Sequence, residues 1–382
     1  MPRTGKCLYR RKDGRWEGRY IKSYSQTGKA VYGSVYARTC KEAKEKLEQA
    51  RLSNPNLTIE APKEDGADSS QVFQDVAAKW LDSIQLTVKE STSVKYLNLL
   101  ETYINPILGV LPVESMTVDD IDAHCTKLLT EGGVDKKGLS PKTVMSVLSV
   151  IRTVLEYANQ NGLAVNCDTK GIKVKQNNKE MRVLTQNEQE KLCSYICQNV
   201  TSTNLGILIC LYTGLRLGEI CALRWEDISL PEQTIHVHQT MQRIQAKNTT
   251  GRKTKVIITT PKSSCSIRTI PIPDDLADLI RSHGVQKSGY FLTDSETSYL
   301  EPRTMENRFK RVLDVIEADP INFHALRHTF ATKCVELGFD VKTLSVILGH
   351  ASVNITMNRY VHPTMKMKKE NMGRISIPIL VK

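Results

Sequence analysis

The tightest constraint on the fold lies between His324 and Tyr360, in the run HALRHTFATKCVELG and, a little further on, LSVILGHASVNITMNRY. His324, Arg327 and His328 are spaced i, i+3 and i+4, which on an α-helix places them within about a third of the circumference. Leu326, Phe330, Cys334 and Leu337 recur on the other side. The spacing therefore predicts an amphipathic helix that buries one face and turns a His/Arg face elsewhere. Gly338 is its stop signal. A second helix, from about Val341 to Leu348, is expected to end at Gly349-His350, and Tyr360 follows ten residues after His350. A single His or Tyr in such helices is usually structural. The joint pattern H-x-x-R, L-G-H and Y points to chemistry.

A further arginine stands far upstream, Arg216 in TGLRLGEICALRW (Thr213 to Trp225). On these two stretches together the chain resembles the tyrosine recombinases, the family of phage and transposon integrases, and among them most the integrases of conjugative transposons. The resemblance implies a catalytic set of Arg216, His324, Arg327, His350 and Tyr360. It extends to Lys262 on the turn T-P-K-S-S, as the family's hairpin lysine, with Lys253 and Lys255 nearby on the same hairpin. It covers most of the chain.

Composition enters as a bound on partners. The 382 residues suffice for two or three domains. Lys and Arg number 53 against 41 acids, a formal charge of +12, and the excess is localised: residues 1–52 hold 14 basic and five acidic residues, so that segment alone carries +9. Such a segment suits nucleic acid, a membrane surface or plain solubility. The N-terminus lacks an apolar core, and the longest apolar run, Leu205 to Tyr212, is far too short to cross a bilayer, so a cytoplasmic protein is expected, which the resemblance makes bacterial and nucleoid-associated. The ten cysteines show no metal-ligand spacing and read mainly as small buried hydrophobes. His236 and His238 share a strand face, but no carboxylate or third ligand stands at a metal-like spacing. No metal and no cofactor is expected.

Taken in order, the chain reads as multidomain and mainly α, with an α+β catalytic domain. Residues 1–52 alternate as strands around the turns Asp13-Gly14 and Thr27-Gly28, with Trp16, Gly18, Tyr20 and Tyr24 on one face. Thr39-x-x-Glu42 is a capping box opening a helix. This is a small three-stranded sheet plus helix. Its Arg10, Arg11, Lys12, Arg15, Arg19 and Lys22 interleave with aromatics, as a sheet entering a DNA groove would require; a solvated surface is the alternative. The resemblance makes it an arm-type DNA-binding domain. Residues 53–70 are a polar linker. Residues 71–168 hold four amphipathic helices, the last with Pro141 in its first turn. Composition alone leaves them an ordinary helical bundle, and the resemblance makes them the core-binding domain, with Lys89, Lys95, Lys142 and Arg152 as candidate phosphate contacts. Residues 169–182 form a second linker, and 183–382 the catalytic domain with its C-terminal tail. Strands are expected from about Thr234 to Thr240, Val256 to Thr260 and Arg268 to Ile272, the last two joined as a hairpin. The tail alternates Ile375, Ile377 and Ile379 and would pack either on its own catalytic domain or, as the resemblance suggests, on a neighbouring protomer.

Phosphodiester cleavage by tyrosine sets three physical problems. A phenol with a pKa of ~10 must become a nucleophile near neutral pH. Charge gathers on the non-bridging oxygens of the transition state, which two fixed guanidiniums, Arg216 and Arg327, can stabilise. The leaving 5′-oxygen needs a proton, which a titratable lysine, Lys262, can give. His324 would assist proton movement at Tyr360, His350 would add a donor, and Glu219 is placed to buttress an arginine. His328 reads as a histidine that packs or supports a site residue from behind, since the family motif does not require it. The resemblance thus implies a site-specific recombinase acting through a 3′-phosphotyrosine. It would act on double-stranded DNA at core and arm sites, assembled as a tetramer by exchange of C-terminal tails and served by a small excision factor, with no membrane. Competing readings are a type IB topoisomerase and a catalytically silent DNA-binding regulator.

Overall fold

The computed structural model describes residues 8–11, 13–24, 30–52, 71–176, 181–246, 254–261, 263–284, 287–361, 365, 369, 372–373 and 375. The chain forms two compact units, residues 1–70 and 71–382.

In the first unit β1 (Leu8–Arg10), β2 (Trp16–Tyr24) and β3 (Ala30–Ala37) form an antiparallel sheet in that order, followed by α1 (Cys40–Leu52). Gly14 turns the first hairpin with φ of 83°, a left-handed conformation that glycine adopts without penalty. Thr39 Oγ1 accepts from the Glu42 amide at 3.2 Å, as the cap signal requires. Trp16 lies opposite Ala37, and Glu17 opposite Tyr36. With a period of two, Ala37 therefore faces the buried side with Ala43 and Leu47 of α1, while Tyr32 and Tyr36 stay exposed. The Thr27-Gly28 turn and the 53–70 linker lie outside the described residues.

The second unit begins with α2 (Phe73–Ile84), α3 (Glu90–Leu99), α4 (Val118–Glu131) and α5 (Pro141–Gln160). Their apolar stripes meet in one core that includes Phe73, Trp80, Ile104, Ile121, Val147 and Ile151. Thr117 and Ser140 cap α4 and α5, and Pro141 occupies the first turn of α5. The helix expected from about Ser93 starts earlier and finishes in a π-helical turn, Leu100–Ile104. The expected linker at 169–182 does not start free of this core. Arg152 donates to the Thr169 and Ile172 carbonyls, and Ile172 is buried among the central helices.

A second core follows. A reciprocal Thr185/Glu188 capping box opens α6 (Gln186–Gln198). Then come α7 (Ser202–Thr213), buried almost throughout, and the short α8 (Leu217–Ala222). The strands are β4 (Ile228–Ser229), β5 (Thr234–Val237), β6 (Thr240–Gln245), β7 (Thr254–Thr259) and β8 (Arg268–Pro271). They are succeeded by α9 (Asp274–Gly284), α10 (Pro302–Val315), α11 (His324–Glu336), α12 (Val341–Leu348) and α13 (Val353–Tyr360). The expected strand pairing is corrected here. The chain breaks after Val237, β6 pairs with β7, and β8 pairs with β5 beside β4. Met241 and Ile244 are the buried residues of β6. Their spacing of three breaks the alternation that a single long strand would need.

Candidate active site

The site is built where α7 ends, α8 begins and α11, α12 and α13 converge. Gly214 closes α7 with φ of 68°. A Cβ there would meet Phe330 and Leu348 within 2.8 Å, so both conformation and close approach require glycine. Its carbonyl is thereby turned to Arg327, whose Nη1 donates to it at 2.7 Å. Arg216 stands at the N-terminus of α8; its amide and its Nη1 donate to the Glu219 carboxylate at 3.0 and 2.7 Å.

The C-terminus of α12 acts as a template for arginines. Three successive carbonyls each accept from a different guanidinium: Ile347 from Arg268 Nε at 2.6 Å, Leu348 from Arg327 Nη2 at 2.6 Å, and Gly349 from Arg216 Nη2 at 3.0 Å. These carbonyls have no partner within the helix and carry its negative dipole end, so cations suit them. Gly349 ends the helix with φ of 63°. Arg268, unremarked in the sequence, is buried and forms a bidentate pair with Glu219, at 3.2 and 3.0 Å. Glu219 therefore buttresses two arginines at once. Burial opposes its ionisation, but Arg268 and then Arg216 overcome this and hold its pKa below the usual carboxylate value. A signal for Arg268 was present: it shares strand parity with Ile270 and Ile272, both buried.

On α11 the expected division into an apolar and a polar face is corrected. Leu326 and Cys334 are buried, but so are Arg327 and His328, while Leu337 is 65 % exposed at the helix end. Of the His/Arg face, Arg327 and His328 are buried while His324, one turn earlier, stays exposed. Burial, then Arg216, pulls the Arg327 guanidinium down to about 9, which leaves it charged at neutral pH.

Tyr360, the last residue of α13, is buried in a small cluster with Ala331, Cys334, Leu344 and Leu348. Burial raises its pKa, opposed by Arg327 and Arg359. Its hydroxyl lies 2.7 Å from Nδ1 of His328, a histidine expected to pack or to support the site from behind and not to meet the tyrosine itself. His350 stacks parallel to the Tyr360 ring at 6.5 Å, and its Nδ1 pairs with Thr356 Oγ1 at 2.8 Å. His324 meets His328 edge-on at 4.7 Å, with much of its surface open to solvent. All three histidines are pushed down, His324 and His328 to about 4 and His350 to about 3, by burial first and by neighbouring cations next, Arg327 among them in each case.

Arg216, Glu219, His324, Arg327, His350 and Tyr360 are thus brought into one cleft, joined by Arg268, His328 and Arg359. Lys262 lies outside the described residues; the carbonyls just before it, Thr260 and Pro261, accept from Lys89 Nζ at 2.6 and 2.9 Å. Lys255, the neighbouring alternative, pairs with Glu90 at 2.7 Å. Both contacts tie α3 to the segment ahead of Lys262. Of the other candidate phosphate contacts, Arg152 is engaged by carbonyls, while Lys95 and Lys142 are exposed. Lys95 lies on a groove of about 610 Å³ between α3 and β6.

In the first unit Arg11 and Arg15 lie over the Tyr36 ring at 5.5 and 5.8 Å and pair with Asp13; Arg11 also reaches Glu17. Arg10 occupies β1, Arg19 and Lys22 occupy β2, and Lys12 is outside the described residues. The strand pair His236 and His238 does meet a carboxylate that spacing did not reveal: Asp227 Oδ1 is 3.4 Å from His238 Nδ1. Among the described residues no group of three or more such ligands comes together. Residues 376–382 of the tail are also outside the described residues.

Comparison with known proteins gives two matches in tandem, to the phage integrase central domain over residues 73–173 and to the phage integrase family over residues 182–367. A XerC-like tyrosine recombinase of Caldanaerobacter subterraneus subsp. tengcongensis is 29 % identical over 374 residues, covering 90 % of this chain and 91 % of the relative. The transposase from transposon Tn916 of Enterococcus faecalis is 24 % identical, covering 96 % of this chain and 93 % of its own length. Among solved structures, the Tn1549 transposon integrase in complex with circular intermediate DNA superposes with a TM-score of 0.62 at 21 % identity, over 80 % of this chain and all of the other. The lambda integrase tetramer bound to a Holliday junction gives 0.53 at 18 % identity, over 95 % of this chain and 99 % of the other.

Proposed function

The chain belongs to the phage integrase family of tyrosine recombinases, and we infer that it is a site-specific DNA recombinase of the conjugative-transposon type, cleaving and rejoining DNA to integrate and excise a mobile element. The observation that carries this is the fixing of the Arg216 and Arg327 guanidiniums on successive carbonyls at the end of α12, beside the buried Tyr360 whose ionised form both favour. Tyr360 Oη attacks the scissile phosphorus, forming a 3′-phosphotyrosine and releasing a 5′-hydroxyl. Arg216 and Arg327 each have two nitrogens anchored on protein oxygens, so their planes are fixed before substrate arrives. Their remaining N–H groups are donors for the non-bridging oxygens, where fixed dipoles act most strongly on developing charge. Neutral His324 and His350 add donors, and Lys262 supplies the leaving-group proton. Rejoining runs the same steps backward with a 5′-hydroxyl from another strand.

The partner is double-stranded DNA, with residues 1–52 holding arm sites and the central helices together with the catalytic core holding the crossover site. Assembly as a tetramer through C-terminal tail exchange, and a small excision factor, complete the proposal. The lambda relative's tetramer on a Holliday junction supports the assembly. Among the described residues no helix is long and apolar enough to cross a membrane, and a cytoplasmic, nucleoid-associated location is proposed. The test is covalent trapping on a nicked core-site duplex. Tyr360→Phe should bind the duplex as the native chain does and form no adduct. An adduct with that variant would remove Tyr360 from its role.

A further inference from the structure

The histidine that touches the nucleophile is not the one that the H-x-x-R spacing singles out. His328 Nδ1 lies 2.7 Å from the Tyr360 hydroxyl, with ring centroids 5.6 Å apart. Arg359 is a cation beside that hydroxyl and favours its ionised form. A guanidinium can only donate, so its approach leaves the phenol proton for Nδ1, which accepts in one tautomer of the neutral ring. Nδ1 then carries the lone pair and Nε2 the ring proton. The neighbouring histidines are turned to other tasks: His350 Nδ1 is paired with Thr356, and His324 meets only the edge of the His328 ring.

We propose that His328 is the general base of the reaction, taking the phenolic proton of Tyr360 as the tyrosine attacks and returning it when the strand is rejoined. The proposal rests on the assignment of Tyr360 as nucleophile. In cleavage the Oη–P bond forms, the O–H bond breaks with its proton going to Nδ1, and the P–O5′ bond breaks with the leaving oxygen protonated by Lys262. In rejoining, the 5′-hydroxyl gives its proton to the Lys262 amine as the P–O5′ bond forms, the Oη–P bond breaks, and His328 returns the proton to Tyr360. Protons and bonds balance in both directions.

The groups facing His328 explain why the nucleophile stays protonated in the free protein. His324 and Arg327 share its helix, Arg359 and Tyr360 come from α13, and Arg182 and Glu306 lie across the cavity that His324 and His328 line. Burial first, then Arg359 and Arg327, keeps the imidazole neutral and weakly basic. Such a base takes the proton only as the Oη–P bond forms, when the phenol becomes strongly acidic. The cavity, about 580 Å³ and lined by Asn322 and His324 among others, reaches the His328 ring, which is itself buried.

Single-turnover adduct formation on a suicide duplex tests this with the native chain, His328→Asn and His328→Ala, each also with 3,5-difluorotyrosine at position 360. Asparagine can accept the same hydrogen bond but cannot hold a proton, and DNA binding reports folding for each variant. The expected result is a fall of about 10²-fold or more for His328→Asn with DNA affinity kept, and a smaller gap with the more acidic fluorinated nucleophile. A native rate in His328→Asn, or a gap that fluorination leaves unchanged, would overturn the proposal and leave His328 a packing residue. A native chain that forms no adduct would bring down the Tyr360 assignment as well, which distinguishes the two failures.

Discussion

Two regions of this protein present arginines, and they hold them in opposite ways. In the cleft, Arg216, Arg268 and Arg327 are fixed by backbone carbonyls at the end of α12 and by the buried Glu219. In the N-terminal sheet, Arg11 and Arg15 rest on an exposed tyrosine and an exposed aspartate. The first arrangement leaves little freedom and little screening by salt. The second leaves the heads in water, ready to exchange one partner for another. Fixed guanidiniums suit a transition state whose charge appears at one place. Loosely held ones suit a backbone that must be tracked at many positions.

The sharpest way to break this contrast is to remove a fixed arginine that touches no substrate. Arg268→Leu leaves Glu219 buried with half its partners and orphans the Ile347 and Ser266 carbonyls. Breaking such a buried pair costs about 3–5 kcal/mol, which urea unfolding of the full chain should register in the second unit. An unchanged midpoint would mean that the cluster is not what locks α8 to α12. Next in size is Arg216→Lys. The charge stays but the fork is lost, so adduct formation should fall by about 10²-fold or more while DNA affinity changes little. Normal cleavage with poor binding would make Arg216 an anchor of the loosely held kind.

The clustering of the candidate site was legible because its spacing is set by helix geometry: His324 and Arg327, then Gly349-His350, stand where α11 and α12 place them. His328 was equally visible, but its role depends on α13 docking a tyrosine 32 residues away, and spacing cannot carry that. Arg268 was legible in principle from its parity with Ile270 and Ile272. The β6–β7 hairpin was not, since its buried residues are three apart and the cue for a strand is two. The burial of the polar side of α11 was hidden for a similar reason. Carbonyls from Gly214 and Leu348, not side chains, make Arg327 soluble in the interior, and carbonyls leave no mark in a sequence.

Acid should separate the two regions further. The cleft histidines His324, His328 and His350 have folded pKa values of about 4, 4 and 3, below the unfolded value of about 6.5. The unfolded chain therefore binds more protons in that window. Stability from these groups is present above about pH 6.5 and is lost as pH falls toward the folded values. Residues 1–70 contain no histidine. Native-state hydrogen exchange, corrected for intrinsic rates, should show protection of α11–α13 falling between pH 7 and 5 while that of β2 and β3 holds. The partial exposure of His324 makes its share the smallest. Equal loss in both regions would show that the cleft histidines are not held neutral.

The gentlest test acts on the loosely held arginines. Arg11→Gln with Arg15→Gln removes two cations that lie over Tyr36 and, of buried contacts, the Arg11 bond to Glu17 Oε2, while Ser34 keeps Oε1. The thermal midpoint of the first unit should fall less than Arg268→Leu lowers that of the second, because the Arg11 end of the pair is in water. If both side chains trade Asp13 for DNA phosphates, log affinity for an arm-containing duplex should lose about 2 from the magnitude of its slope against log salt, close to one per phosphate released. Cleavage of a short core-site duplex should stay at the native rate, since neither arginine contributes to the cleft. The decisive quantity is the slope and not the affinity at one salt concentration, because a lost hydrogen bond to a base would weaken binding without altering the number of ions released. An unchanged slope would mean that Asp13 keeps both arginines on the protein in the complex, and the aromatic-rich sheet would then have to meet DNA through other residues.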